Sequence, residues 1–410
     1  MKITKENRME LKGEFTDCKI FTDYVEQSAI SQVYGFLNNP AFKGCKTRFM
    51  PDIHAGSGAV IGTTVELSDK VMPNVVGVDI GCGMLSLKID SKEINFKELD
   101  EFVKNNIPSG FHMNTKQQEI GKTLECDIKD VCKEIGLDNT RALRSVGSLG
   151  GGNHFIEIGQ DENNDLWLTL HSGSRNFGLQ IAKYHQKIAE KYSLASISET
   201  EMKTLIENIK RDKKGKQIQI EIEKLKKRSK VIKHKRDGLE YLEGQLAKDY
   251  LKHMQVAQRY ASRSRQIMAN NIIDFLNTKV LLTIESIHNY IDLKDNIVRK
   301  GAISAHKDEL VVIPWNMRDG LIIGKGKGNP DWNNSAPHGA GRTMSRSQAK
   351  REVDIEEFRD SMKDIYSSCV LESTLDESPM AYKDHNEVEK YLSESVEILH
   401  RVKPVYNFKA

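Results

Sequence analysis

The sequence is short of cysteine and proline, has little net charge, and contains no long apolar run. Its six cysteines are scattered through 410 residues without the spacing of a disulfide framework. Free thiols in a reducing, cytoplasmic setting are therefore expected. No window of about 18 apolar residues occurs, so no membrane span is expected. The first residues, Met1-Lys2-Ile3-Thr4-Lys5-Glu6, lack the apolar core of a secretory signal. A formal charge of only +3 excludes nucleic-acid binding through bulk charge and leaves local patches as the only route. Internal repeats and low-complexity linkers are also absent, which argues against a solenoid or a chain of beads. What remains, 38% hydrophobic and 29% charged residues, fits a soluble globular enzyme and not a disordered chain.

The chain is organised around Val76-Gly77-Val78-Asp79-Ile80-Gly81-Cys82-Gly83-Met84. Apolar residues followed by glycines read as a buried strand running into a tight turn. A carboxylate and a thiol three positions apart are a metal-ligand pair, and a thiolate can bridge two ions. The alternative is a capping Asp79 beside an inert core thiol. The rest of the chain supplies matching residues. Arg48–Gly56 reads as an apolar step followed by a turn holding Asp52 and His54, and residues 59–66 read as a strand. A glycine turn, Gly150-Gly151-Gly152, precedes Asn153, His154, Phe155 and Glu157. The strand Leu166–Leu170 ends at His171, and a strand from residue 279 ends at His288. Helical spacing covers residues 96–106 and 116–136. Asp79, Cys82, His154, His171 and His288 are thus one carboxylate, one thiol and three imidazoles at strand ends, enough for two ions sharing Cys82. By ligand type alone they point to zinc, with manganese left open.

Residues 178–275 are rich in Lys, Glu, Gln and Leu and poor in Gly and Pro, which predicts a long helical insertion over 190–275. Its basic run, 224–236, is either a solvated helix face or an RNA-phosphate footprint. Residues 310–328 read as a strand followed by a Gly/Lys loop, Gly324–Gly328, without Walker spacing. His338 is expected at a helix start, with Arg342 and Arg346 on the same helix face. A neutral imidazole beside an anion-binding surface suits a nucleophile that attacks phosphorus. The C-terminal part reads as two helices and a short tail.

Seven motifs, taken together, resemble those of the RtcB family of RNA ligases, in the family's order and over nearly the whole chain. They are Pro51–Gly56, Val76–Met84, Gly152–Glu157, Leu170–Arg175, His288–Tyr290, His338–Arg342 with Met344–Arg346, and Pro379–Asp384. The resemblance implies a single α/β domain over 1–410 with mixed β-sheets and the helical insertion. It implies joining of RNA 3′-phosphate or 2′,3′-cyclic phosphate ends to 5′-hydroxyl ends, in RNA repair or tRNA splicing. In such enzymes the histidine matching His338 is guanylylated from GTP. GMP then passes to the RNA 3′-phosphate, and the 5′-hydroxyl displaces it.

Two Mn(II) ions are implied on Asp79, Cys82, His154, His171 and His288, in place of zinc. Nucleotide contacts are implied for Asn153, His154, Phe155, Glu157, Asn316, His338, Gly339, Gly341, Arg342, Tyr382 and Lys409. RNA contacts are implied for His54, Arg175, Arg342 and Arg346. A monomer and an archease-type activator complete the expectation. One departure stands out: where many members carry Pro-Gly-Ser-Met-Gly, this chain has Pro314-Trp315-Asn316-Met317-Arg318-Asp319-Gly320. Two competing readings are a metal-dependent phosphodiesterase that does not seal, and a GTP- and RNA-binding relative without catalysis.

Overall fold

The computed structural model describes residues 2–3, 8–194, 199–231 and 238–409. Two seven-stranded sheets form its frame. The first runs in the order β1 (Lys2–Ile3), β2 (Met9–Lys12), β3 (Asp17–Ile20), β4 (Thr47–His54), β5 (Ile61–Glu66), β11 (Ile297–Lys300), β10 (Asn289–Asp292). It is mixed, because β3 and β4 pair in parallel. The second is antiparallel, in the order β13 (Leu310–Asn316), β14 (Gly320–Gly326), β16 (Val396–Lys409), β7 (Phe155–Gln160), β8 (Leu166–Ser172), β6 (Gly83–Ile89), β9 (Val280–Ile287). A short ribbon of β12 (Ala302–Ser304) and β15 (Ser335–Pro337) completes the strands.

The second sheet positions the site, and its two-residue period explains how. Leu168 and Leu170 of β8, Ile156 and Ile158 of β7, and Tyr406 and Phe408 of β16 form one core with Met268, Ala269 and Ile272 of the long helix Gly244–Leu276. The intervening residues must point to the other face. There the register sets Lys409 opposite Phe155 and Phe155 opposite His171, with Asn407, Glu157 and Thr169 in the next row. Both faces of β8 are covered, and all seven of its residues are buried.

The helix Gly244–Leu276 presents the stripe Tyr250, Met254, Ala257, Ala261, Ser264, Met268 and Ile272 to the interior. Its spacing of three and four is that of one helix face. The small residues in the stripe let a loop press close. Gly81 has φ +71°, and a Cβ there would lie 2.8 Å from the Gln258 Cα. Only glycine fits at that point of the loop carrying Asp79 and Cys82. The helix stops at Asn277, whose left-handed conformation ends the hydrogen-bond ladder.

Several expectations need correction. The segment before Asp79 is a short helix, Pro73–Val76, and the strand begins only at Gly83. A proline at the first helical position favours that turn of helix over extension. Asp52 and His54 lie within β4, not in a turn. Gly324, Lys325 and Gly326 belong to β14, because β16 pairs along them. The C-terminal segment is no tail: β16 is a 14-residue strand in the interior of the second sheet. Its alternation of buried Val402, Pro404 and Tyr406 with less buried neighbours is the strand signal that its charged residues mask.

Helices occupy Arg175–Leu194, Glu199–Asp212, Lys216–Val231 and Gly244–Leu276. Glu199–Asp212 packs on Lys216–Val231, and none of the described side chains of this pair is buried. The basic run 224–236 enters the second of these helices, and its residues 232–236 lie outside the described residues. Among the described residues no helix is long and apolar enough to cross a membrane.

Candidate metal and nucleotide site

Asp79, Cys82 and His154 place one ligand atom each within 4.8 Å of one another, and so do Cys82, His171 and His288. Cys82 is common to both groups. Its Sγ lies 3.5 Å from His154 Nε2 and 3.2 Å from His171 Nε2. His154 Nε2 is 3.0 Å from Asp79 Oδ2, and His171 Nε2 is 3.3 Å from His288 Nε2.

The tautomers follow from the carbonyls. His154 Nδ1 donates to Leu149 O at 2.9 Å, and His171 Nδ1 donates to Asn153 O at 3.0 Å. Both Nε2 atoms therefore carry lone pairs, and both face the Cys82 sulfur. One thiol proton cannot satisfy two acceptors, so the arrangement fits a cation better than it fits itself. Burial holds His171 and His288 well below the usual histidine range, which keeps them neutral as ligands must be. Burial, then the Asp79 charge, pushes the Cys82 thiol well up, so a cation is needed to hold it as thiolate. Burial opposes ionisation of Asp79, but its neighbours His154, Cys82 and His171 together outweigh it and the net direction is down.

Buried scaffolding fixes these ligands. Ser174 N donates to Asp79 Oδ1 at 3.0 Å. A Cβ on Gly173 would lie 2.2 Å from that carboxylate, so glycine makes room for it. Arg265, fully buried, donates to Gly81 O at 3.0 Å, to Ser172 O at 2.6 Å and to Glu285 at 2.8 Å. One guanidinium thus ties the Cys82 loop to the end of the His171 strand. Sequence reasoning missed it, because an arginine on a polar-looking helix carries no local sign of burial.

A cavity of about 320 Å³ opens beside the ligands. Asp79, Cys82, His171 and His288 form part of its wall, together with His338, Gly339, Gly341, Arg342 and Arg346. His54, Asn153, Phe155, Glu157, Asn316, Tyr382 and Lys409 also line it. Of the expected site residues, His154 and Arg175 are not in the wall. Arg175 is turned to Ser148 Oγ at 3.1 Å and Gly110 O at 2.6 Å. His54 donates from Nδ1 to Asp52 O at 2.9 Å, and burial lowers its pKa to about 4.

His338 stands beside the metal ligands, with its ring centroid 4.9 Å from that of His288. Its Nδ1 lies 2.7 Å from Oδ2 of Asp52, a fully buried carboxylate. The same oxygen accepts from the His338 backbone N–H at 3.2 Å. Nδ1–H is therefore the donor, and Nε2 is a lone pair with no partner among the described residues.

The expected helix start is wrong. His338 follows β15, and the next helix begins only at Arg346, capped by the Ser345 side chain. Glycines at 339 and 341 and the Ser345 cap delay the helix, so His338, Arg342 and Arg346 do not share a helix face. The arginines are placed instead by a buried carboxylate, Glu377. Arg342 approaches it at 3.5 Å, Arg346 bonds it directly, Lys409 lies 2.9 Å away, and Tyr382 Oη donates at 2.6 Å. Burial alone would raise Glu377, but Lys409 and Arg346 overcome it and bring its pKa down to about 2. Glu157, by contrast, is pushed up to about 8 by burial, against the Asn407 amide at 2.8 Å and the Lys409 charge. The divergent turn is closed by its own side chains: Asn316 Oδ1 accepts from the N–H groups of Arg318 and Asp319, and its Nδ2 donates to Asp319.

A profile of the family described as tRNA-splicing ligase RtcB matches residues 32–136 and 133–410. The chain is similar to the RNA-splicing ligase RtcB of Escherichia coli (strain K12), 30% identical over 391 residues that cover 87% of this chain and 88% of the relative. It is also similar to the tRNA-splicing ligase RtcB of Nanoarchaeum equitans (strain Kin4-M), 25% identical over 446 residues, covering 87% and 86%. With a shared-thiol ligand set, a histidine held by a buried carboxylate, and a match across most of its length, the chain belongs to the RtcB family.

Proposed function

We propose that this protein is an RNA ligase that joins 3′-phosphate or 2′,3′-cyclic phosphate ends to 5′-hydroxyl ends, using GTP. The observation that carries the reading is His338: its Nδ1–H is spent on Asp52, so the free Nε2 is the nucleophile. Nε2 attacks the GTP α-phosphorus, a phosphoramidate forms and pyrophosphate leaves. Asp52 balances the positive charge that the ring acquires. GMP passes from Nε2 to the RNA 3′-phosphate. The 5′-hydroxyl then attacks that phosphorus and GMP departs, while a cyclic phosphate is opened by water beforehand.

Asp79, Cys82, His154, His171 and His288 would hold two Mn(II) ions, which supply charge neutralisation at the crowded phosphates. Arg342 and Arg346 line the wall where phosphate charge would lie. Lys409 donates to guanine O6, and ionised Glu157 accepts from N1–H and the 2-amino group. The proposal includes a monomer acting in the cytoplasm, in RNA repair or tRNA splicing, with an archease-type activator.

The test combines GTP, Mn(II), a 3′-phosphate RNA and a 5′-hydroxyl RNA with purified protein. Sealing, with GMP found on His338 by mass spectrometry, is the expected result. Opening of a cyclic phosphate without sealing would favour the phosphodiesterase reading instead. GMP on Lys325 or Lys327 would overturn the histidine assignment. Neither lysine lines the cavity: Lys325 pairs with Glu397 at 3.3 Å, and Lys327 donates to Ser393 O at 2.5 Å.

A further inference from the structure

Phe111 is 95% exposed, the most exposed large hydrophobic side chain among the described residues; the next, Tyr24, is 69% exposed. Burying a phenylalanine stabilises a fold, and this chain forgoes that contribution. The turn that displays Phe111 is firmly held. Gly110 N donates to Gly150 O at 2.8 Å, Leu149 N donates to Pro108 O at 2.8 Å, and His112 N donates to Ser109 O at 3.0 Å. The Arg175 guanidinium clamps Gly110 O at 2.6 Å. On the far side, Asn114 N donates to Arg144 O at 2.9 Å.

The partner in these bonds is the glycine run that serves the site. Leu149 O accepts from the metal-ligand candidate His154, and a Cβ on Gly152 would lie 3.6 Å from Arg346 in the cavity wall. The turn that displays Phe111 is therefore tied to the same short segment that orients the ligands. An exposed cation lies near the Arg175 clamp. Arg141 is exposed, has no ion-pair partner among the described residues, and lies close enough to Arg175 to help lower its pKa, after burial.

A solvated aromatic on a firmly held turn, with an exposed arginine near the clamp of that turn and a phosphate-handling cavity served by the same segment, matches single-stranded nucleic acid. Bases stack on the ring whatever their identity, and the cations meet the backbone. We propose that Phe111 is a stacking platform for a nucleobase near the RNA end being joined, with Arg141 meeting a phosphate of the same strand. This rests on the ligase reading above.

The experiment compares wild type with Phe111→Ala, Phe111→Leu and Phe111→Trp. The substrates are single-stranded RNAs carrying 2-aminopurine at each of the last three positions, in turn, of the 3′-phosphate strand and of the 5′-hydroxyl strand. Stacking is worth roughly 1–3 kcal/mol per base, so Phe111→Ala should weaken RNA binding about 5- to 150-fold. In ligation it should raise KM for RNA far more than it lowers kcat. At least one 2-aminopurine position should be quenched by wild type and by Phe111→Trp but not by the alanine or leucine variant. A ring so exposed carries little folding energy, and an unchanged melting temperature checks this. Unchanged RNA affinity, or no ring-dependent quenching at any position, overturns the platform, including in favour of a protein partner for Phe111. Ring-dependent RNA binding without sealing by wild type would keep the platform and remove the ligase reading.

Discussion

Replacing Asp52 with asparagine isolates the charge that serves His338. The carboxylate is fully buried, accepts from His338 Nδ1 at 2.7 Å and from the His338 backbone N–H at 3.2 Å. Asparagine can accept the same bonds through its oxygen, so the tautomer that leaves Nε2 free can survive. What is lost is the attraction between a carboxylate and the cation that the ring becomes as it bonds phosphorus. With charge centres about 4 Å apart and an effective dielectric near 20, that attraction is about 4 kcal/mol. At about 1.36 kcal/mol per decade, self-guanylylation should slow by about 10³-fold. Asp52→Ala should be at least as slow, because it also leaves Nδ1 without its acceptor. The assay is rapid-quench measurement of GMP attached to protein from labelled GTP, without RNA, with melting curves as the folding control. A rate for Asp52→Asn within tenfold of wild type, on folded protein, would refute the argument that Asp52 acts on the nucleophile.

Three further outcomes follow from the site. Cys82→Ala removes the atom common to both ligand groups, so metal content measured by elemental analysis should fall and ligation should be lost; full metal loading with full activity would end the shared-thiol site. Burial raises Glu157 to about 8. Its proton is retained in the fold above the ordinary 4.5, so this group's contribution to stability declines as pH rises from 4.5 towards 8. Guanine needs the ionised form, so GTP affinity should climb about tenfold per pH unit and level off above about 8. Glu157→Gln should flatten that profile, and a flat wild-type profile from pH about 6 to 9 would contradict the assignment. Deleting 224–236 should weaken RNA binding and reduce its salt dependence while self-labelling from GTP persists; an unchanged salt slope would leave the run as a solvated helix face.

The parts of the site legible in the sequence are those whose chemistry and local pattern coincide. Asp79, Cys82, His154, His171 and His288 are ligand-type residues at strand ends or beside glycines, and the fold brings all five together. The strand Leu166–Ser172 was equally plain, because a run of Leu, Trp, Leu, Thr and Leu suits a strand covered on both faces. The strand Val396–Lys409 was not. Its charged residues alternate with buried ones, and its place in the sheet depends on β7 and β14, which lie far away in the chain. The sequence motif proposes His338 as the nucleophile, but the surroundings it suggests differ from those in the fold. A helix is expected to start at His338, whereas Ser345 caps a helix that begins only at Arg346, and the charge that matters is Asp52, 286 positions away.

The groups that sequence reasoning missed share one physical property: each is a charge buried against distant partners. Asp52 orients His338, Arg265 joins the Cys82 loop to the His171 strand, and Glu377 gathers Arg342, Arg346, Lys409 and Tyr382. Nothing in the neighbours of Glu377 along the chain marks it, because its worth lies in contacts made across the fold. A free arginine or lysine would have to give up side-chain entropy and water to meet a phosphate. Held beforehand by Glu377, with the Asp376 carboxylate also 2.7 Å from Arg346, three cations keep their geometry before any nucleotide arrives and still outnumber the two carboxylates. The ordering is completed when the protein folds, so less of the nucleotide's binding free energy is spent on it. The same logic applies at Asp52, where folding has already chosen the tautomer that leaves Nε2 free. The buried charges that hold the reacting and phosphate-facing side chains are therefore where this chain's sequence is least informative and where its structure contributes most to the proposed chemistry.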